Sequence, residues 1–181
     1  MNSRKTIPVI HIIGLPGAGK TTLARRLSRA LRVQMLCIGH HRARFPQTPI
    51  GEADAWIALF KELSRRQWKN CILETTGLNS RESFLRTALP FEQIFTIKLE
   101  ASRKTLAHRI RKKNKKNQGG QWIYSAKYKD KYEFVLKLFK PFCKIPANFY
   151  INTNRLTKAA VYRRAFKEIE AHKRINRAME T

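Results

Sequence analysis

The stretch Gly14-Leu15-Pro16-Gly17-Ala18-Gly19-Lys20-Thr21 fits G-x-x-x-x-G-K-[ST] at every fixed position, and no other segment constrains the chain as tightly. Glycines let successive backbone N–H groups curl around a phosphate, a geometry that side chains would obstruct. Lys20 supplies a point charge for the β- and γ-phosphates, and the Thr21 hydroxyl is placed for Mg²⁺. A β-branched run, Ile7 to Ile13, precedes the loop, and Leu23, Leu27, Ala30 and Leu31 recur after it at helical spacing. A helix that opens at the loop turns its positive end on the anion. Strand, loop and helix in that order predict a site for a nucleoside triphosphate with Mg²⁺, formed by Gly14 to Lys20 with Thr21 and Thr22. A guanine-specifying Asn-Lys-x-Asp segment is missing, since Asn114-Lys115-Lys116-Asn117 lacks the acid, and ATP is the expected nucleotide.

Further strands are expected at Val33–Ile38, Cys71–Leu73, Ile94–Leu99 and Phe149–Ile151. Helices are expected over Gly51–Trp68, Glu82–Leu89 (closed by Pro90), Ser102–Lys113, Tyr128–Phe139 (stopped at Pro141) and Thr157–Ala178. Lys112 to Gly120 reads as a basic loop. Strands alternating with helices imply an α/β protein whose parallel sheet is covered on both faces, with ligands at the carboxyl ends of the strands. With no repeat and no linker in 181 residues, the expectation is a single domain, 1–181, of the three-layer P-loop NTPase fold on a five-stranded parallel sheet.

Charge is the anomaly of the composition. Lys and Arg number 38 against 12 Asp and Glu, a formal net charge of +26. Such a balance attracts polyanions through counterion release, so RNA or DNA is an expected partner, with biased composition as the alternative. No apolar run approaches the ~20 residues that cross a bilayer, so no membrane partner is expected. Met1 to Pro8 is not followed by a signal-peptide core, because His11 and Gly14 interrupt it. Cys37, Cys71 and Cys143 are scattered and odd in number, which argues against a disulfide framework and for a reducing cytoplasmic setting. Cys37 and Cys71 sit in apolar stretches and read as small buried hydrophobes.

Glu74 ends the third apolar run, where a neighbouring strand can deliver a carboxylate to the Mg²⁺ shell; the plain alternative is a loop residue. With this acid in view, Gly14 to Thr22, Leu73-Glu74-Thr75-Thr76-Gly77, Leu99-Glu100-Ala101-Ser102 followed by His108-Arg109, and Ile151-Asn152-Thr153 together resemble the small P-loop kinases. That group includes phage polynucleotide kinase, gluconate and shikimate kinases and zeta-toxin-like kinases. The likeness covers nearly the whole chain, and its specific part is the phosphate loop. It implies an ATP-dependent kinase in which Arg109, or less well placed Arg103, Arg111 or Lys113, closes over the transferring phosphate. It also implies a basic lid region over about 103–132.

The chain departs from these kinases where an Asp usually follows the second strand. Here the stretch is Cys37-Ile38-Gly39-His40-His41-Arg42. Candidates for the base are His40 or His41 in place, Glu52 or Asp54 from the next helix, or Glu74. Arg42 resembles an acceptor-binding arginine. Loss of the base is also compatible with a pseudokinase. Aromatic and basic residues alternate from Gln121 to Lys129, and the last helix is rich in Arg and Lys. A nucleic-acid or nucleotide end is therefore the favoured acceptor. A small-molecule metabolite kinase and a nucleotide-regulated nucleic-acid-binding protein without turnover are the alternatives.

Overall fold

The computed structural model describes residues 7–78, 94–116 and 130–179. Its strands are β1 (Val9–Gly14), β2 (Gln34–Cys37), β3 (Cys71–Glu74), β4 (Ile94–Glu100) and β5 (Phe149–Asn152). Among the described residues they form one sheet in the order β2-β3-β1-β4-β5, with every neighbouring pair parallel. β1 and β3 are buried throughout and β4 is buried up to Glu100, which is why they read as continuous apolar runs. The edge strands β2 and β5 are only partly buried, each with one buried residue, Leu36 and Ile151.

The described helices are α1 (Lys20–Leu31), α2 (Ile38–Arg42), α3 (Pro49–Arg65), α4 (Arg103–Lys116), α5 (Lys131–Cys143) and α6 (Lys158–Met179). Alternation along β1 splits the core in two. Ile10 and Ile12 join a cluster with Leu23, Leu27, Leu106 and Ala165 of α1, α4 and α6. Val9 lies in a second cluster, with Leu36, Trp56, Leu59, Leu63 and Leu73, beneath α3. Helix, sheet, helix: the three-layer P-loop NTPase fold stands as expected.

Several boundaries differ from the sequence reading. β2 stops at Cys37, and Ile38 turns into α2, so His40, His41 and Arg42 are helical rather than on a loop. Helix α3 starts at Pro49 because Thr48 caps it, its hydroxyl accepting from the Gly51 N–H at 3.1 Å. It ends at Arg65, after which Gln67, Trp68 and Asn70 adopt left-handed backbone angles. Helix α5 begins one residue after Asp130, whose carboxylate accepts from the N–H groups of Tyr132 and Glu133. It runs through Pro141 to Cys143, past a proline that lacks the N–H to bond the preceding turn, and ends two residues later. Lys112 to Lys116, expected to be loop, extend α4. The expected helix Glu82–Leu89 and the aromatic-basic stretch Gln121–Lys129 lie outside the described residues, as does the middle of the expected lid region.

One buried charge interrupts the apolar pattern of β4. Lys98 is fully buried. Its Nζ donates to the carbonyls of Cys143 (3.0 Å) and Ile145 (2.9 Å) and lies 3.1 Å from Glu100 Oε1. A buried ammonium is tolerated only when such partners replace water, and here it satisfies carbonyls where α5 ends.

Candidate active site

The loop between β1 and α1 is shaped by two left-handed glycines. Gly17 (φ 85°) lies against α4, where a Cβ would come 3.0 Å from the Leu106 carbonyl oxygen. Gly19 (φ 102°) is the N-cap of α1, and a Cβ there would meet nothing, so it faces open space. Ala18 N–H donates to Leu15 O, and Leu23 N–H donates to Gly19 O, both at 3.1 Å, closing the turn and opening the helix. Lys20 is buried, and its Nζ lies 3.4 Å from Leu15 O, folded back along the loop. Backbone N–H groups, a helix N-terminus and an ammonium thus converge on one concavity, a cradle for a phosphate chain.

β3 lies beside β1, with Ile12 opposite Glu74, and this register delivers the carboxylate to the start of α1. Thr21 Oγ1 donates to Glu74 Oε1 at 2.8 Å. Glu74 is buried, and its Oε2 has no hydrogen-bond partner among the described residues. A hydroxyl and a carboxylate with a free buried oxygen form the donor set that a hard divalent cation takes, so these residues fit Mg²⁺. Cys37 joins this group, which sequence reasoning missed by treating it as core. It pairs with Glu74 across β2 and β3 and is only partly buried. Burial and the Glu74 carboxylate push its thiol up, while the Gly39 and His40 N–H groups and the Lys20 ammonium pull it down; the net direction is upward.

The three cysteines therefore differ in reactivity. Cys71 is buried, and burial pushes its thiol to about 12; Cys143 is exposed. Maleimide at about pH 7.5 is expected to modify Cys143 fast, Cys37 slowly and Cys71 only after unfolding. Mass spectrometry of timed digests checks this, and native-state labelling of Cys71 would contradict its place under α3.

Arg109 projects from α4 to the phosphate loop. Its Nη1 donates to Gly17 O (3.3 Å) and Thr153 Oγ1 (3.0 Å), and its Nη2 donates to Thr153 O (2.6 Å). The guanidinium thereby bridges the phosphate loop to the segment after β5. Thr153 was visible only as part of a last-strand resemblance; its partner could not be read from spacing. Arg103 and Arg111 instead lie over the rings of Phe139 (4.9 Å) and Tyr132 (5.2 Å), tying α4 to α5. The Lys113 side chain lies outside the described residues. Between the ends of β4 and β5 and the helices α4 and α5 is a cavity of about 180 Å³, lined by Leu15, Ala101, Leu106, Phe139, Phe142 and Asn154 among others.

On the far side of the loop, α2 and α3 carry the remaining candidates. Arg42 is committed to Glu52: Nε donates to Oε2 at 2.7 Å and Nη2 to Oε1 at 2.5 Å. Trp56 Nε1 also donates to Glu52 Oε1, at 2.8 Å. These three hydrogen bonds engage both oxygens of Glu52 and hold it to Arg42 and Trp56. His41 is buried and turned to α3, its Nε2 3.5 Å from Glu62 Oε2. Burial pulls its pKa below the ordinary histidine value against the opposing pull of Glu62, which keeps it neutral at pH 7. His40 is exposed and Asp54 half-buried.

A three-layer parallel sheet carrying this loop and an adjoining strand-end carboxylate defines a P-loop NTPase. A family model described as an AAA domain matches residues 10–130, and the chain belongs to that family. The shikimate kinase of Corynebacterium glutamicum is 50% identical over 30 residues, 17% of this chain and 18% of that protein, so the match spans under a fifth of this curated relative. Among solved structures, a shikimate kinase from Acinetobacter baumannii in complex with shikimate is similar (TM-score 0.65, 23% identity, 93% of this chain and 96% of that one). So is a gluconokinase from Sinorhizobium meliloti (TM-score 0.68, 14% identity, 96% and 98%). At these identities the likeness is one of fold. No described helix is long and apolar enough to cross a membrane.

Proposed function

We propose that the chain is an ATP- and Mg²⁺-dependent phosphotransferase acting on a hydroxyl of a small-molecule acceptor. The observation that carries this reading is the Thr21–Glu74 hydrogen bond beside the phosphate loop, with a buried carboxylate oxygen left to accept a cation. Residues 1–181 act as one kinase domain, with a basic lid region over about 103–132. Gly14 to Thr22 hold the triphosphate, Lys20 neutralises the transferring phosphoryl group, and Thr21 and Glu74 hold the cation. When bound, Mg²⁺ supplies charge neutralisation at the phosphate oxygens. Arg109, already at the loop, adds positive charge on the opposite flank. His40 and the Arg42–Glu52 pair line the acceptor side. The loose transition state of phosphoryl transfer draws mainly on positioning and charge, so the missing aspartate is compatible with turnover.

A small-molecule acceptor now fits better than the nucleic-acid end expected from composition. Structural neighbours are kinases named for shikimate and gluconate. Transfer of labelled γ-phosphate to a panel of polyols, sugar acids and oligonucleotides tests the proposal. Label on a metabolite supports it, label on an oligonucleotide end restores the nucleic-acid acceptor, and no label with nucleotide still bound favours the pseudokinase. Arg109→Ala is expected to lower kcat by about 10²-fold with a smaller change in nucleotide affinity. An unchanged kcat in steady-state assays would remove Arg109 from the transfer step.

A further inference from the structure

Small-molecule transfer leaves the chain's charge unexplained, and one group of its cations lies together on one face. α1 and α6 cover the same side of the sheet. Leu23 and Leu27 of one and Val161, Ala165 and Ile169 of the other enter the same core cluster. Arg26 stacks on Tyr162 at 4.6 Å and joins the two helices. Helical periodicity then turns Arg25 and Arg29 outward on α1, with Arg32 just beyond, and Arg163, Lys167 and Arg174 outward on α6. All six are exposed. Among the described residues none of them forms an ion pair with a carboxylate. α1 carries no acid, and on α6 Glu170 is bound to Lys173 at 2.6 Å.

The cations form two rows. On α1 successive members are four and three residues apart (~6 Å), on α6 four and then seven (~6 and ~10 Å), and packed helices set rows ~8–10 Å apart. The longer row, Arg163 to Arg174, extends roughly 16 Å at 1.5 Å per residue. An array of that pitch and extent suits a chain of closely spaced phosphates. It is poorly suited to lipid: the apolar stripes of both helices are spent on the core, and Ile175 is the one strongly exposed large apolar residue on either, among those described. The face also stands apart from the transfer site, since Arg25 to Arg32 lie toward the far end of α1 from the phosphate loop.

We propose that the outward face of α1 and α6 is a docking surface for nucleic acid, held through its phosphates without regard to sequence and separate from the acceptor site. Fluorescence anisotropy with a labelled 20-nucleotide single-stranded RNA, titrated by the full chain between 50 and 300 mM salt, tests it. Six phosphate contacts predict a log–log salt slope of about −4, at about 0.7 per contact. Combining Arg25→Ser, Arg29→Ser, Arg163→Ser and Lys167→Ser leaves two contacts, so the slope is expected to fall to about −1 and affinity to drop about 30-fold or more. Arg44→Ser, Lys61→Ser, Arg65→Ser and Lys69→Ser together remove the same charge from exposed positions on the α3 side and are expected to change affinity less than about threefold.

Equal loss in both variants would mean diffuse charge rather than a docking face and overturn the proposal. Binding to phosphatidylserine vesicles without binding to RNA would overturn it too. Circular dichroism of both variants verifies that they fold, and Lys20→Ala is expected to bind RNA like the unaltered chain. Absence of phosphotransfer by the unaltered chain with its RNA binding intact would thus count against the proposed function alone.

Discussion

Replacing Lys20 by alanine is expected to lower phosphotransfer by about 10³-fold, the upper end of what removing one preorganised charge costs. The side chain sits at the first position of α1, is buried, and folds back to within 3.4 Å of the Leu15 carbonyl oxygen. Its ammonium is thereby fixed over the loop before any nucleotide arrives, so little reorganisation is needed as charge develops in transfer. Arginine is not expected to rescue the loss, because a planar fork on a longer stem does not fit where a compact point charge stood. Single-turnover transfer beside circular dichroism separates chemistry from folding. Activity within tenfold of the unaltered chain would mean that the loop does not hold the transferring phosphate.

Trp56→Ala is expected to destabilise the fold by about 4 kcal/mol, within the range for removing a large aromatic from a core. Trp56 is fully buried on the inner face of α3, packs on Phe60 with ring centroids 5.7 Å apart, and shares its cluster with Leu36, Leu59, Leu63 and Leu73. The loss compounds a cavity with a polar consequence. The indole N–H that donates to Glu52 disappears, loosening the carboxylate that holds Arg42. Urea denaturation measures the first effect, and a raised acceptor KM with nucleotide KM unchanged would report the second. A destabilisation below about 1 kcal/mol would mean that the layer under α3 tolerates a void and is not close-packed.

Much of the fold was legible because the signals are local. The phosphate loop is contiguous, and the buried strands carry unbroken apolar runs, so their existence and parallel pairing follow from periodicity. Sheet order is a different matter: nothing in β3 states that it lies between β1 and β2. The placement of Glu74 against Thr21 was foreseeable because strand ends converge on the loop, whereas the attachment of Arg109 to Thr153 joins residues 44 positions apart. Lys98 escaped notice because a charged residue in an apolar strand looks like an exposed one until its carbonyl partners are known. The helical state of His40, His41 and Arg42 was hidden by brevity, since a five-residue helix is too short to show a period. Arg42 and Glu52 were each read as acting alone; their pairing depends on how α2 folds onto α3.

The anchorage of α5 has a mechanical corollary. Its final turn is fastened to the middle of the sheet through the Lys98 ammonium, while its first turn is held by Asp130 through hydrogen bonds within the helix itself. Phe134, Val135 and Phe142 of the same helix are buried in the main core, so any displacement of this rod must drag the core with it, and Tyr132 carries Arg111 of α4 along.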